Sequence, residues 1–465
     1  MSLIYEILRK ELSEKKVAIL GFGREGKSTF SLFRNLFPAL KLVVADRNPE
    51  SLRSLETDPG VELISGDDYL EKLPETGILI KSPGIPMKSL EFLGDAVKIS
   101  SQTDLFLQAY AAQIIGITGT KGKSTTSSLL FQVLKSWDEN TIFVGNIGVP
   151  PFDMVNHIND ETRIICEFSS HQLEIIRKSP HVAILLNIFQ EHLDHYHSFV
   201  DYQQAKFNIA RFQDIQDYFI YNTDNETIMS GLGQYTFPGL PVTMSMYGPG
   251  SSGVYIAMNH IVFQSSDSAE DLMDTDIPRL LPGRHNLYNI MAVLAVCRIL
   301  KIPTEHVVAE ISKFKPLEHR LEYVGRFGGI DFYNDSISTI PESTIEAIKS
   351  IEHINTLILG GYDRGIDYGH LAEFLAGTAI ENILLLGEAG KRMEVLLKYH
   401  SYGKNIMHVN SFDELKPLIC RFTRPGTVCL LSPAASSYDM FVNFEERGRR
   451  FKKMAEECSS PAIYE

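Results

Sequence analysis

Short, β-rich apolar runs at residues 16–20, 41–45 and 77–81 alternate with longer stretches of helical character. That alternation predicts a parallel sheet with crossover helices. A fresh run at 113–118 leads straight into a glycine-lysine loop, with a helix expected over 127–135 and further apolar runs at 163–168 and 181–188. Past a Lys-Pro break at Pro316 the alternation restarts, with strands expected at 357–359, 382–386 and 427–431. The pattern therefore predicts three α/β domains, over residues 1–110, 111–315 and 316–465. A length of 465 residues agrees with that number at roughly 150 residues per domain.

Composition narrows the function. With 44% hydrophobic and 22% charged residues the chain has the balance of a soluble globular protein. A net charge of -14 excludes a broad nucleic-acid footprint, because phosphate backbones are held by clustered cations. Anionic ligands must then be gripped locally by glycine loops, helix N-termini and bound metal. The five cysteines, Cys166, Cys297, Cys420, Cys429 and Cys458, are widely spaced without a Cys-x-x-Cys, which indicates a reducing compartment rather than a disulfide framework. The N-terminus lacks a signal-peptide core and no run approaches about 18 apolar residues, so a cytoplasmic location without membrane insertion is expected.

Residues 118–126 read TGTKGKSTT. Between a strand and a helix this is a phosphate loop: backbone N–H groups of Gly119, Thr120, Lys121, Gly122 and Lys123 wrap phosphate oxygens and Thr125 continues the turn. The Lys123 ammonium reaches the terminal phosphates, and the Ser124 hydroxyl sits on Mg²⁺. Ile117 stands where the eight-residue form of the motif has glycine, so the match is to the shorter Gly-x-x-Gly-Lys-Ser core. ATP binding is the inference.

A second glycine loop, GFGREG, places Gly21, Gly23 and Gly26 directly after a strand, with Asp46 and Arg47 closing the next strand. This outlines a dinucleotide fingerprint, yet the same physics suits any diphosphate at a helix N-terminus, including that of a UDP-sugar, and a ligand-free turn has the same spelling. The turn IKSPGIP offers Ser82 to the same ligand, or is a plain Pro-Gly turn. In EFSSHQLE, Glu167 ends an apolar strand, where a carboxylate needs a cation such as Mg²⁺. Glu191, His192, Asp194, His195 and His197 follow another buried strand; their spacing does not fit zinc. At least two of Asp194, His195 and His197 are expected to be solvated, and His192 is singled out for function.

With TGTKGKSTT, GNIG (145–148), EFSSHQLE (167–174), EHLDHY (191–196) and LPGRHN (281–286) in this order, the chain resembles the Mur ligases over nearly its whole length. NDSISTIPEST (334–344) and LLSPAASSYDMFVNFEERG (430–448) look like the branch that adds D-glutamate to UDP-N-acetylmuramoyl-L-alanine. The resemblance implies a Rossmann-like N-terminal domain holding UDP, a P-loop ATPase-like central domain, and a Rossmann-like C-terminal domain that closes over ATP and brings in the amino acid. It implies a monomer working in peptidoglycan synthesis. It also implies an acyl-phosphate: the precursor's carboxylate attacks the γ-phosphate of ATP, and the incoming amine displaces phosphate.

By the same resemblance, one Mg²⁺ falls to Ser124 and Glu167, and a second to His192 with a carbamylated Lys206. Asn286, Arg320 and Asp335 are implied ATP contacts. Asn146, Ser169 and His192 are implied contacts to the precursor, and Thr339, Arg364, Ser437 and Phe444 to D-glutamate. Two positions depart from the family: Ile337 and Arg364 stand where lysines are usual. Arginine can still grip a carboxylate by a two-pronged hydrogen bond, whereas isoleucine supplies no charge. A sister ligase adding L-alanine, a diamino acid or polyglutamate to folate, a nucleotide-dependent switch and a nicotinamide oxidoreductase are the competing readings. The diamino-acid ligase's Asp-Asn-Pro-Arg motif is absent here, and the oxidoreductase leaves the phosphate loop unexplained.

Overall fold

The computed structural model describes residues 3–13, 15–73, 77–147, 149–190, 195–281, 283–284, 286–315, 318–400 and 403–458. Two compact units divide the chain: Met1–Pro278 with Asn286–Phe314, and Arg279–His285 with Lys315–Glu465.

The first unit holds two sheets. Strands β1 (Val17–Leu20), β2 (Leu42–Asp46), β3 (Val61–Ser65), β4 (Ile78–Lys81) and β5 (Lys98–Ser100) pair all-parallel in the order β3-β2-β1-β4-β5. Alternate residues of β1 enter different cores, Val17 and Ile19 one and Ala18 and Leu20 the other, which is why a strand buried on both faces reads as an unbroken apolar run. The second sheet has β6 (Ile114–Thr118), β7 (Thr141–Gly145), β8 (Arg163–Glu167), β9 (Val182–Leu185), β10 (Tyr218–Asn222), β11 (Leu240–Ser245), β12 (Gly253–Ala257), β13 (His260–Gln264) and β14 (Ala269–Asp274). Its order is β14-β13-β12-β11-β10-β9-β6-β8-β7, parallel through β12 and antiparallel beyond. One continuous hydrophobic core joins the two sheets, running from Val17 and Ile80 to Ile164 and Leu185.

The second unit carries β15 (Glu322–Phe327), β16 (Ile330–Asn334), β17 (Ile354–Gly360), β18 (Asn382–Leu386), β19 (Asn405–Val409) and β20 (Val428–Leu431), ordered β15-β16-β20-β17-β18-β19 with only β15 antiparallel. Leu357, Leu359, Ile383 and Leu385 face one core, and Ile358, Leu384 and Leu386 the other. The strands expected from apolar pattern form within one to three residues of their expected ends, and the expected helix is longer, Lys123–Trp137. In both units, loops at the C-terminal ends of parallel strands carry the candidate residues, the usual place for ligands in open α/β sheets.

Candidate functional site

The phosphate loop leaves the end of β6 and enters the helix Lys123–Trp137 through Gly122, whose φ of +83° is a left-handed conformation that favours glycine. Asn187, just past β9, clamps it from behind. Its Oδ1 accepts from the Lys121 N–H at 2.7 Å, its Nδ2 donates to the Lys121 carbonyl at 3.1 Å, and its own carbonyl accepts from Thr120 N–H at 2.9 Å. The Thr120 hydroxyl meets Tyr202 Oη at 2.8 Å. The Lys123 ammonium folds back onto the loop, donating to the Gly119 carbonyl at 2.8 Å and the Thr120 carbonyl at 3.1 Å. Asn289 accepts from the Thr126 hydroxyl at 3.0 Å and donates to the side chain of Asn286 at 2.7 Å, which brings Asn286 beside the loop's helix.

Glu167 ends β8 with 0% exposure. Asn146 Nδ2 donates to one carboxylate oxygen at 2.8 Å and Ser127 Oγ to the other at 3.3 Å, so among the described residues its partners are neutral. A buried carboxylate with no cation partner among the described residues, at the end of the strand next to the one that feeds the phosphate loop, has the chemistry of a Mg²⁺ ligand. Ser124 is buried in the first turn of the loop's helix. Lys206, on the helix Phe199–Arg211, is 2% exposed and donates to the Gly119 carbonyl at 2.9 Å. Two lysine ammonium groups thus share one loop carbonyl. His192, with Glu191 and Asp194, lies outside the described residues. Of its neighbours, His197 is exposed and pairs with Glu91 at 2.8 Å, while His195 is buried, 3.4 Å from Glu174, with its ring packed at a tilt against His171.

At the first glycine loop, Gly21 takes φ +86°, and a side chain on Gly26 would overlap the Gly21 carbonyl, so the helix Arg24–Leu36 seats directly on the loop. Asp46 shapes the turn: its carboxylate accepts from Phe22 N–H at 2.5 Å and Asn48 N–H at 2.8 Å. Ser82 Oγ donates to the Gly21 carbonyl at 2.8 Å, tying the two turns together. Gly21 N–H is spent on the Ala45 carbonyl, which leaves the helix N-terminus from Gly23 onward to meet an anion. Arg47 is exposed and pairs with Asp67 at 2.8 Å.

Sequence reasoning missed a polar network behind this loop. Arg24 donates to the Asn146 carbonyl at 2.9 Å. Gln172 completes a capping box with Ser169 and donates to Glu25 at 2.7 Å. Burial pushes the Glu25 carboxyl up, against the pull of Gln172, Arg24 and Lys81. Lys81, buried at the end of β4, pairs with Glu174 at 3.2 Å; burial pulls its ammonium down while Glu174 opposes. A lysine inside an apolar strand was the available signal.

In the second unit, Asp335 is 3% exposed after β16 and accepts from Leu321 N–H at 3.2 Å and Ser432 Oγ at 2.7 Å. Burial pushes its carboxyl up to about 6, against hydrogen bonds from Ser338, Ser432 and Leu321 and the nearby Arg320 charge. Arg364 donates to the Thr339 carbonyl at 3.1 Å, and Ile337 N–H donates to the His319 carbonyl at 3.1 Å. Arg447, which the sequence reading did not single out, is buried and donates to Ser336 Oγ at 3.0 Å, the Ser336 carbonyl at 2.8 Å and the Ala435 carbonyl at 3.0 Å. Ser336 Oγ in turn donates to the Phe444 carbonyl at 2.8 Å. This one guanidinium joins the segments bearing Thr339, Ser437 and Phe444.

Among known proteins, the Mur ligase middle domain matches residues 117–297. UDP-N-acetylmuramoylalanine–D-glutamate ligase of Acetivibrio thermocellus is 32% identical over 461 residues, 96% of this chain and 97% of that protein. The enzyme of the same name from Clostridioides difficile is 32% identical over 453 residues, 95% of this chain and 98% of its own. Among solved structures, MurF of Thermotoga maritima in complex with ADP aligns over 99% of both chains at TM-score 0.59 and 16% identity. MurC of the same organism aligns over 96% of this chain and 100% of its own at TM-score 0.57 and 19% identity. These two show a shared fold.

Proposed function

The chain belongs to the Mur ligase family, and on that premise we propose that it joins D-glutamate to UDP-N-acetylmuramoyl-L-alanine in cytoplasmic peptidoglycan synthesis, releasing ADP and phosphate. The observation that carries the reading is the meeting of a clamped phosphate loop, a buried carboxylate and a buried lysine at the ends of neighbouring strands.

A carboxylate is a poor electrophile, and transfer of the γ-phosphoryl group turns its oxygen into a leaving group. With the Thr120 and Lys121 N–H groups held by Asn187, the other N–H groups of the loop meet the phosphates of ATP, and the Lys123 ammonium leaves the loop carbonyls for the terminal phosphate. Magnesium, held by Ser124 and Glu167, would supply neutralisation of the charge on the transferred group. In carbamylation the neutral amine of Lys206 forms an N–C bond to CO₂ and gives up a proton to solvent, and the resulting carbamate anion would, with His192, suit a second Mg²⁺. The N-terminal glycine loop, with Ser82, Asn146 and Ser169, serves the UDP-linked precursor. Thr339, Arg364, Ser437 and Phe444 serve D-glutamate, the Arg364 guanidinium taking the side-chain carboxylate that lysine usually meets. The protein works as a monomer.

The test is phosphate release from ATP and Mg²⁺ with UDP-N-acetylmuramoyl-L-alanine, comparing D-glutamate, L-glutamate, L-alanine, L-lysine and diaminopimelate. D-Glutamate alone is expected to couple. Turnover with a different amino acid reassigns the chain to a sister ligase, and no turnover with any makes it a nucleotide switch.

A further inference from the structure

The helices Leu415–Phe422 and Phe444–Glu457 cover the face of the third sheet that carries Ile358, Leu384 and Leu431. At their adjoining ends Cys420 Sγ lies 3.0 Å from Cys458 Sγ, donating to it. Cys420 is exposed and Cys458 is buried. One turn before each thiol, Lys416 and Met454 line a cleft of about 290 Å³ together with Asp413, Arg450, Lys453 and Glu457. Lys416 pairs with Glu457 at 3.2 Å and Arg450 with Asp413 at 2.6 Å, so three cations face two carboxylates and the cleft keeps a positive excess.

We infer that Cys420 and Cys458 are a redox-modifiable pair that an anionic low-molecular-weight disulfide, docked in the Lys416–Arg450–Lys453 cleft, converts to a disulfide. The site lies outside the ligase chemistry and does not rest on it. The Cys420 thiolate attacks one sulfur of the reagent, forming a mixed disulfide and releasing one thiolate. Cys458 then attacks Cys420 Sγ, its proton leaves, and the second reagent thiolate departs. Two protein thiols are oxidised, one reagent disulfide is reduced, and the two protons end on the two released thiols. Exposure makes Cys420 the entry point, and Cys458, whose buried Sγ lies 3.0 Å away, is placed for the second step; burial pushes its thiol up, so that step waits on loss of its proton. Cys166, Cys297 and Cys429 are buried, which keeps the reagent from them.

The experiment treats the full-length reduced protein with oxidised glutathione or with cystamine, a disulfide of opposite charge, at low salt. Expected are loss of two hydrogens by intact mass, a Cys420–Cys458 link by peptide mapping, and a rate about three- to ten-fold faster with glutathione than with cystamine. Lys416→Ala combined with Lys453→Ala should erase that preference, Cys420→Ser should not react, and Cys458→Ser should stop at the mixed disulfide. A wild-type protein that stops at the mixed disulfide, links Cys429 or stays reduced overturns the pair. Equal rates with the two reagents overturn the cleft's role.

Discussion

Asp335 shows how one buried side chain sets a pH response. Unfolded, its carboxyl releases its proton near 3.8, whereas in the fold it holds the proton to about 6. Between those values folding takes up a proton, so stability falls as pH rises, by roughly 3 kcal/mol in all at about 1.36 kcal/mol per pH unit, and is flat above. Urea unfolding from pH 4 to 8 should show this decline, and Asp335→Asn should remove it; an unchanged slope in the variant would assign the effect elsewhere. Lys206 is the second residue-scale test. Lys206→Ala should lower coupled phosphate release by about 10- to 100-fold, since loss of residues around a bound metal costs that order. Nuclear magnetic resonance with ¹³C-bicarbonate should show a carbamate signal in the parent protein and none in the variant. Of such residues, the sequence exposed those whose spelling is local, as in TGTKGKS. Arg447 and Asn187 stayed hidden because their partners lie far along the chain, Arg447 acting on Ser336, 111 positions away.

At the scale of elements, the glycine loop of the first sheet is a close fit between a turn and a helix. Because a Cβ on Gly26 would overlap backbone rather than a movable side chain, Gly26→Ala must shift the loop. The cost should be about 1–3 kcal/mol in urea unfolding, as in overpacked cores, despite alanine's better helix propensity. KM for the UDP-linked precursor should rise while KM for ATP stays put; a rise in both would mean the disturbance spreads through the unit. Strand positions were legible wherever both faces are buried, as at 382–386. Strands such as β12 to β14 escaped notice because they form an antiparallel edge with mixed burial, where no long apolar run forms.

The whole molecule divides otherwise than its three sheets suggest. The first two sheets share one core, so they should melt together, and the unit of Lys315–Glu465 should melt by itself. Calorimetry should therefore resolve two transitions, with Mg²⁺ and ATP raising the one belonging to the unit that holds the phosphate loop, as ligand binding to a native state must. Three separate transitions would show that the shared core does not couple the sheets. That sharing was invisible in the sequence, which marks where a pattern restarts but not which buried faces meet.

One arrangement near the nucleotide loop bears on inhibitor chemistry. The ammonium groups of Lys123 and Lys206 both rest on the carbonyl of Gly119, and Lys206 is buried besides. An electrophile that seeks a lysine amine meets ammonium groups, whose lone pairs are held in N–H bonds that the Gly119 carbonyl helps to keep. A covalent drug lead for this pocket must therefore bring a base that takes a proton from the ammonium, since another acceptor in place of Gly119 would hold the nitrogen protonated all the same.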